Sequence, residues 1–128
     1  MSEKHKETRR NWTVKQWTDY AREGNTDLQG ANLEGAKLSN TRKGSLRLYD
    51  ANLEGANLKS ASLYKSTLKD ANLKGANLAG AQLLGSNLTG ADLRGANLDG
   101  ANLFKVDLRG ANLEGHDIDD LRKRVAGF

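Results

Sequence analysis

The chain has 128 residues with no cysteine and no proline, which suits a single domain and excludes disulfides and thiolate metal sites. Its net charge of +4 is thinly spread, six basic against four acidic side chains in residues 1–25 and eleven against nine in residues 26–115. So mild an excess favours solubility and announces no nucleic-acid surface.

Residues 1–12 read as a polar N-terminal tail, since no apolar side chain follows Met1 before Trp12. Lys4, Lys6, Arg9 and Arg10 are expected to be solvated there. Residues 13–24 read as a capping helix. Thr13 is a good N-cap and Gln16, three residues on, completes a capping box. Trp12 and Trp17 fall at the two positions of a hydrophobic staple, and Gly24 supplies the stop. Two tryptophans this close admit a ligand box, but a helix of about ten residues needs something to lie on. A plug over the open end of the following segment is the preferred reading.

Residues 25–118 hold one five-residue phrase in nineteen copies. Leu occupies the third position throughout except at Lys43, and Ile118 closes the series. A strand alternates its faces with period two, so five residues would flip the parity at every phrase. Leu stays in phase, hence the chain must turn a corner once per phrase. The Gly common at the fifth position accepts the positive φ that a type II turn needs. First and third side chains then point inward, and second and fourth face water. The first positions that are not Ala include Thr26, Leu46, Ser66, Ser86 and Val106, spaced by twenty. Four phrases per turn follow, in a square-sided coil where residue n lies beneath n+20. Backbone bonds between coils would set a spacing of roughly 4.8 Å. One expected core column is Leu33, Leu53, Leu73, Leu93 and Leu113. Thr41–Ser45 lacks the central Leu, so that side is expected to bulge or turn Lys43 outward rather than bury an unpaired ammonium.

These phrases resemble the pentapeptide repeat family, whose pattern is A-(N/D)-L-X-X with Leu central; the purest match here is Ala71–Gly80. The resemblance covers residues 26–118. It implies a right-handed quadrilateral β-helix, here an all-β solenoid of nearly five coils with a short helix at each end, and it points to a family abundant in cyanobacteria. Residues 119–128 read as a C-terminal capping helix and tail, acids first and bases later to suit the helix dipole. The run Arg122-Lys123-Arg124 is expected to be a solvated helix face.

Chemistry is hard to place on this chain. His5 and His116 lie at opposite ends, no Ser or Thr has a base arranged to activate it, and the glycines lack a phosphate-loop context. A non-enzymatic protein with no metal and no cofactor is expected. No apolar run is long enough to span a membrane and no signal-peptide pattern opens the chain, so the expected compartment is the cytoplasm. The stacked Asn side chains of the Leu73 face read as a structural ladder. On the face of residues 43, 63, 83 and 103, the outward fourth positions Tyr64, Leu84 and Phe104 form an apolar stripe bordered by Lys65 and Lys105. Exposed apolar ladders mark contact sites, so a protein partner or a second copy is expected there, with no membrane and no nucleic acid. The family implies an alternative: some members mimic duplex DNA and bind DNA gyrase, conferring quinolone resistance. Such mimicry needs a strongly negative surface, and this coil is near neutral.

Overall fold

Among the described residues, each phrase of the coil closes one corner and pairs with a neighbouring coil. The corner is closed by the first-position N–H donating to the preceding Leu carbonyl, as from Ala31 to Leu28 and Ala76 to Leu73, both at 3.0 Å. It needs a positive φ at the fifth position, 69° at Gly75 and 67° at Gly80. Asp50, Ser60, Lys65, Asp70 and Lys105 adopt the same conformation at φ of 51–59° without being glycine. A left-handed residue with a Cβ costs about 1–2 kcal/mol, while glycine costs more backbone entropy. Ser60→Gly is therefore expected to raise stability by about 0.5 kcal/mol, read as a higher urea midpoint at unchanged slope. A fall of that size would mean the corner relies on the Ser60 side chain.

The computed structural model describes residues 9–38 and 47–127. Among them no extended strand forms; second-position residues pair through isolated parallel bridges. A corner every five residues leaves too little straight chain for a longer ladder. From Arg47 onward the bridges step by twenty, as in Arg47–Thr67–Asn87–Asp107 and Asn52–Asn72–Asp92–Asn112. Four phrases therefore make one coil.

Below that the step differs. Asp27 pairs with Asn52, Asn32 with Asn57 and Lys37 with Ser62, each twenty-five residues away. The lowest coil thus holds one phrase more than the others. The interval contains Thr41–Ser45, whose Lys43 stands where Leu would be buried; the expected bulge of that phrase lies outside the described residues. The consequence for the core is a correction. Leu33 does not lie in the Leu53 column but beneath Leu58, its N–H donating to Asn57 O at 2.7 Å. Leu28 takes its place under Leu53, donating to Asn52 O at 2.9 Å. Likewise Thr26 belongs with Ala51, because Asn52 N–H donates to Thr26 O, and not with Ser66 and Ser86.

The upper end is also shorter than expected. Among the described residues the bridges define five levels on the Asn52 face and four on each other face. Ile118 does not close the Leu series: it opens a helix and is 39% exposed. Asp117 explains this, since its side chain caps that helix by accepting from Asp120 N–H at 3.1 Å. Within the stack, Leu53, Leu73 and Leu93 are fully buried, flanked by buried Ala51, Ala71 and Ala91. Leu108 and Leu113, in the last coil, are only half-buried.

Two helices meet the two ends. Helix α1 spans Val14–Arg22 and α2 spans Ile118–Ala126. Thr13 Oγ1 accepts from Gln16 N–H at 3.2 Å while Thr13 N–H donates to Gln16 Oε1 at 2.8 Å, a complete capping box. The Trp12 and Trp17 rings meet edge to face at 5.1 Å. Gly24, with φ of 96°, ends α1, and Gly127, at 90°, ends α2.

Candidate functional site

The end coils expose backbone carbonyls that a further coil would otherwise satisfy, and arginines take them up. Arg9 donates to Asp27 O at 3.2 Å and to the Asp27 carboxylate at 3.1 Å. Its guanidinium is buried among Trp12, Trp17 and Tyr20, 4.9–5.7 Å from their ring centres. Arg22 donates to Lys37 O. At the other end Arg124 donates to Ala101 O at 2.8 Å, a carbonyl with no coil above it, and at 2.6 Å to the corner carbonyl of Leu98, which also accepts from Ala101 N–H. Two expectations are thereby corrected: Arg9 is no solvated tail residue, and Arg124 is no solvated helix residue. A guanidinium carries five donors in a rigid fork, which suits neighbouring carbonyls. His116 Nε2 donates at 2.6 Å to Leu93 O, a corner carbonyl that also accepts from Ala96 N–H.

Along the walls, Asn and Asp at second positions accept from the N–H two residues on, as Asn72 from Lys74 at 3.0 Å and Asn87 from Thr89 at 2.9 Å. Their links between coils run to carboxylates, Asn57 to Glu34 and Asn72 to Glu54 at 3.4 Å. Asp92 is chelated by Arg94 at 2.7 and 2.9 Å. That bonding holds its carboxyl at about 2, below the usual 3.8, and outweighs the desolvation that opposes it. Arg109 lowers Asp107 in the same way, across 2.6 Å. Inside the coil, three buried hydroxyls, Ser66 Oγ, Thr67 Oγ1 and Ser86 Oγ, have no hydrogen-bond partner. Among the described residues no group of three His, Cys, Asp or Glu side chains comes together, and no helix is long and apolar enough to cross a membrane.

The predicted stripe has a definite geometry. Ser62, Gln82 and Asn102 bridge one above another, and the carbonyls of Leu84 and Phe104 accept from Lys65 and Gly85 at 3.0 and 2.9 Å. Tyr64, Leu84 and Phe104 therefore stand in one column on the outer wall. Tyr64 and Leu84 are half-buried, while Phe104 is 37% exposed. The Tyr64 hydroxyl donates to Gln82 Oε1 at 3.2 Å. Lys105 Nζ lies 5.2 Å from the Phe104 ring centre. Lys65 rests against the coil above, since a Cβ built on Gly85 would lie 3.4 Å from its Cγ. Lys43, expected on this face, is outside the described residues; Leu38 heads the column instead. Sequence reasoning missed one contact: a Cβ on Gly127 would fall 2.9 Å from the Phe104 ring, so the end of α2 covers part of the stripe. It also missed Tyr49, 49% exposed on the adjacent wall.

Among the described residues, phrases of five with a positive-φ corner, stacked four to a coil above a longer lowest coil and met by a helix at each end, define a solenoid built from pentapeptides. A family model for pentapeptide repeats matches residues 24–42, 47–83, 66–104 and 81–117, in eight copies. The chain belongs to the pentapeptide repeat family. It is similar to a trypsin-treated variant of QnrB1, a plasmid-mediated fluoroquinolone resistance protein, at 25% identity and TM-score 0.53, over 78% of this chain and 55% of that one. The chain thus spans a little over half the length of that relative. It is 30% identical to alr5209, a pentapeptide repeat protein from Nostoc PCC 7120, over 85% of this chain and 92% of that one, with TM-score 0.39. It is 33% identical to HetL of Nostoc sp. strain PCC 7120, a pentapeptide repeat protein involved in heterocyst differentiation regulation, over 68% of this chain and 48% of that one, with TM-score 0.34. No curated protein matches the chain.

Proposed function

We propose that this is a non-enzymatic cytoplasmic binding protein that engages a protein partner, or a second copy of itself, through the face of Tyr64, Leu84 and Phe104 with Lys65 and Lys105 at its border. One observation carries the reading: three apolar side chains occupy outward positions in consecutive coils, where the core does not require them. In this reading the coil is right-handed, as the family resemblance implies. The repeats up to Gly115 are the binding body, α2 caps its upper end, and α1 caps its lower end together with Arg9 and Trp12 from the segment expected as a tail.

Replacing Tyr64, Leu84 and Phe104 together by Ser tests it. The expected loss of stability is roughly 1–2 kcal/mol in total, the range for partly exposed positions. Self-association by light scattering, or capture of a partner from the native cell, should disappear. Unchanged assembly together with an unchanged partner set would leave the stripe as ordinary surface.

Likeness to QnrB1 favours a second reading, gyrase binding of the quinolone-resistance type. The surface charges oppose it: Arg94 and Arg109 each neutralise the aspartate two residues earlier, where a duplex mimic needs free negative charge. A gyrase supercoiling assay separates the two, since only the mimic would alter supercoiling.

A further inference from the structure

The upper end of the coil carries a groove of about 690 Å³ between the last wall and α2. Val106, Leu108 and Leu113 line it from the wall, and Ile118, Leu121 and Val125 from the helix. Its rim holds Lys105, Arg109 and Arg122 against a single carboxylate, Asp107. Arg109 is bonded to that carboxylate at 2.6 Å, which leaves Lys105 and Arg122 as the net charge.

The wall beneath the groove is an unfinished edge. One coil lower, Leu88 and Gly90 N–H donate to Asp107 O and Arg109 O at 2.8 and 3.0 Å, and Ser86 O accepts from Asp107 N–H at 3.0 Å. The corresponding groups here are the N–H of Leu108 and Gly110 and the carbonyl of Val106. The chain turns into α2 instead of laying a further coil over them. That this edge accepts extra chain is already visible at Lys105, whose N–H donates to Val125 O at 3.0 Å.

We propose that the groove binds an extended acidic segment of a partner protein, laid along residues 106–110 as one more side of the coil. Main-chain bonds to Val106, Leu108 and Gly110 supply the pairing, as in strand addition to a sheet edge. Alternate apolar side chains of the segment cover Val106 and Leu108, and its carboxylates meet Lys105, Arg109 and Arg122. Charge decides against a second copy of this chain: two such rims brought together would oppose cation to cation. The groove adjoins the Phe104 end of the stripe, sharing Lys105 and the end of α2 with it, but takes nothing from Tyr64 or Leu84, so a test at those two residues tells the sites apart.

The test titrates the full chain into a fluorescein-labelled peptide of alternating Leu and Glu, read by anisotropy, with a Leu and Lys peptide as control. Saturable binding of the Glu peptide is expected, weakening as salt is raised. Ile118→Asp and, separately, Arg122→Glu should each weaken it roughly tenfold, the effect of losing an anchor residue. A Tyr64→Ser, Leu84→Ser double variant, which leaves Phe104 in place against α2 and Lys105, should bind as the unsubstituted protein does. Arg122 is exposed and its replacement leaves the core intact, so that variant decides the matter if Ile118→Asp misfolds. Absence of saturable binding, or equal binding of the Lys peptide, would overturn the proposal. So would a dimer of the protein alone that Arg122→Glu leaves unchanged and Ile118→Asp abolishes, because the groove would then belong to a second copy.

Discussion

Leu73→Ala is expected to lower stability by about 2–5 kcal/mol, the cost of lost apolar burial plus the cavity left behind. Leu73 is fully buried and stands between Leu53 and Leu93, which are equally enclosed. Bridges at Asn52, Asn72 and Asp92 hold the backbone on both sides, so the coils cannot slide together to refill the space. A domain is stable by only about 5–15 kcal/mol, so this single change removes a large share. Each coil touches only its neighbours, so a defect in the middle also severs the stack. Urea unfolding followed by circular dichroism measures the loss. Leu113→Ala is the comparison: Leu113 is half-buried in the last coil and should cost distinctly less. Equal effects at the two positions would mean that the Leu column does not grow stronger toward its centre.

Removing residues 1–24 is the second large change. It uncovers the underside of Leu28, Ala31 and Leu33, all fully buried. It also takes away Arg9 and Arg22, so the carbonyls of Asp27 and Lys37 lose their donors. An apolar floor beside unpaired backbone groups is an invitation to associate. The truncated chain is expected to melt lower by more than about 5 °C, or to form larger species in light scattering. A truncated chain that stays monomeric and equally stable would show that α1 is not a seal.

The phase of Leu, the corner at the fifth position and the column of Tyr64, Leu84 and Phe104 were all legible, because each follows from a spacing within the chain. Stacking at the lower end was not. Residue periodicity counts residues, and the extra phrase in the lowest coil shifts the register without disturbing the spacing of Leu. Thr26 therefore lies twenty residues before Leu46 in sequence and yet stands in the Ala51 column. Lys43 lies in the interval between Lys37 and Arg47, and only the bridges from Asp27, Asn32 and Lys37 reveal that a whole phrase is added there.

The arginines were misjudged for a different reason. A charged side chain next to others reads as solvated until the orphan carbonyls near it are known. Every solenoid has two ends with such carbonyls, and Arg9, Arg22 and Arg124 stand close enough in sequence to reach them. Ile118 kept the five-residue phase but lost to a local rule: Asp117 and the acids after it make a helix start, which took Ile118 out of the Leu series and placed it on the groove wall.

The solenoid stacks coils of twenty residues on a lowest coil of twenty-five. The chain has no native cysteine, so pairs can be introduced cleanly. Parallel neighbours in such a ladder lie roughly 4.8 Å apart, within the range a disulfide spans. Under mild oxidation, Asn32→Cys with Asn57→Cys should cross-link quantitatively, as should Asn57→Cys with Asn77→Cys. Asn32→Cys with Asn52→Cys should not, although its separation is the twenty residues of the regular coil. Ready cross-linking of that last pair, with none between positions 32 and 57, would contradict the account.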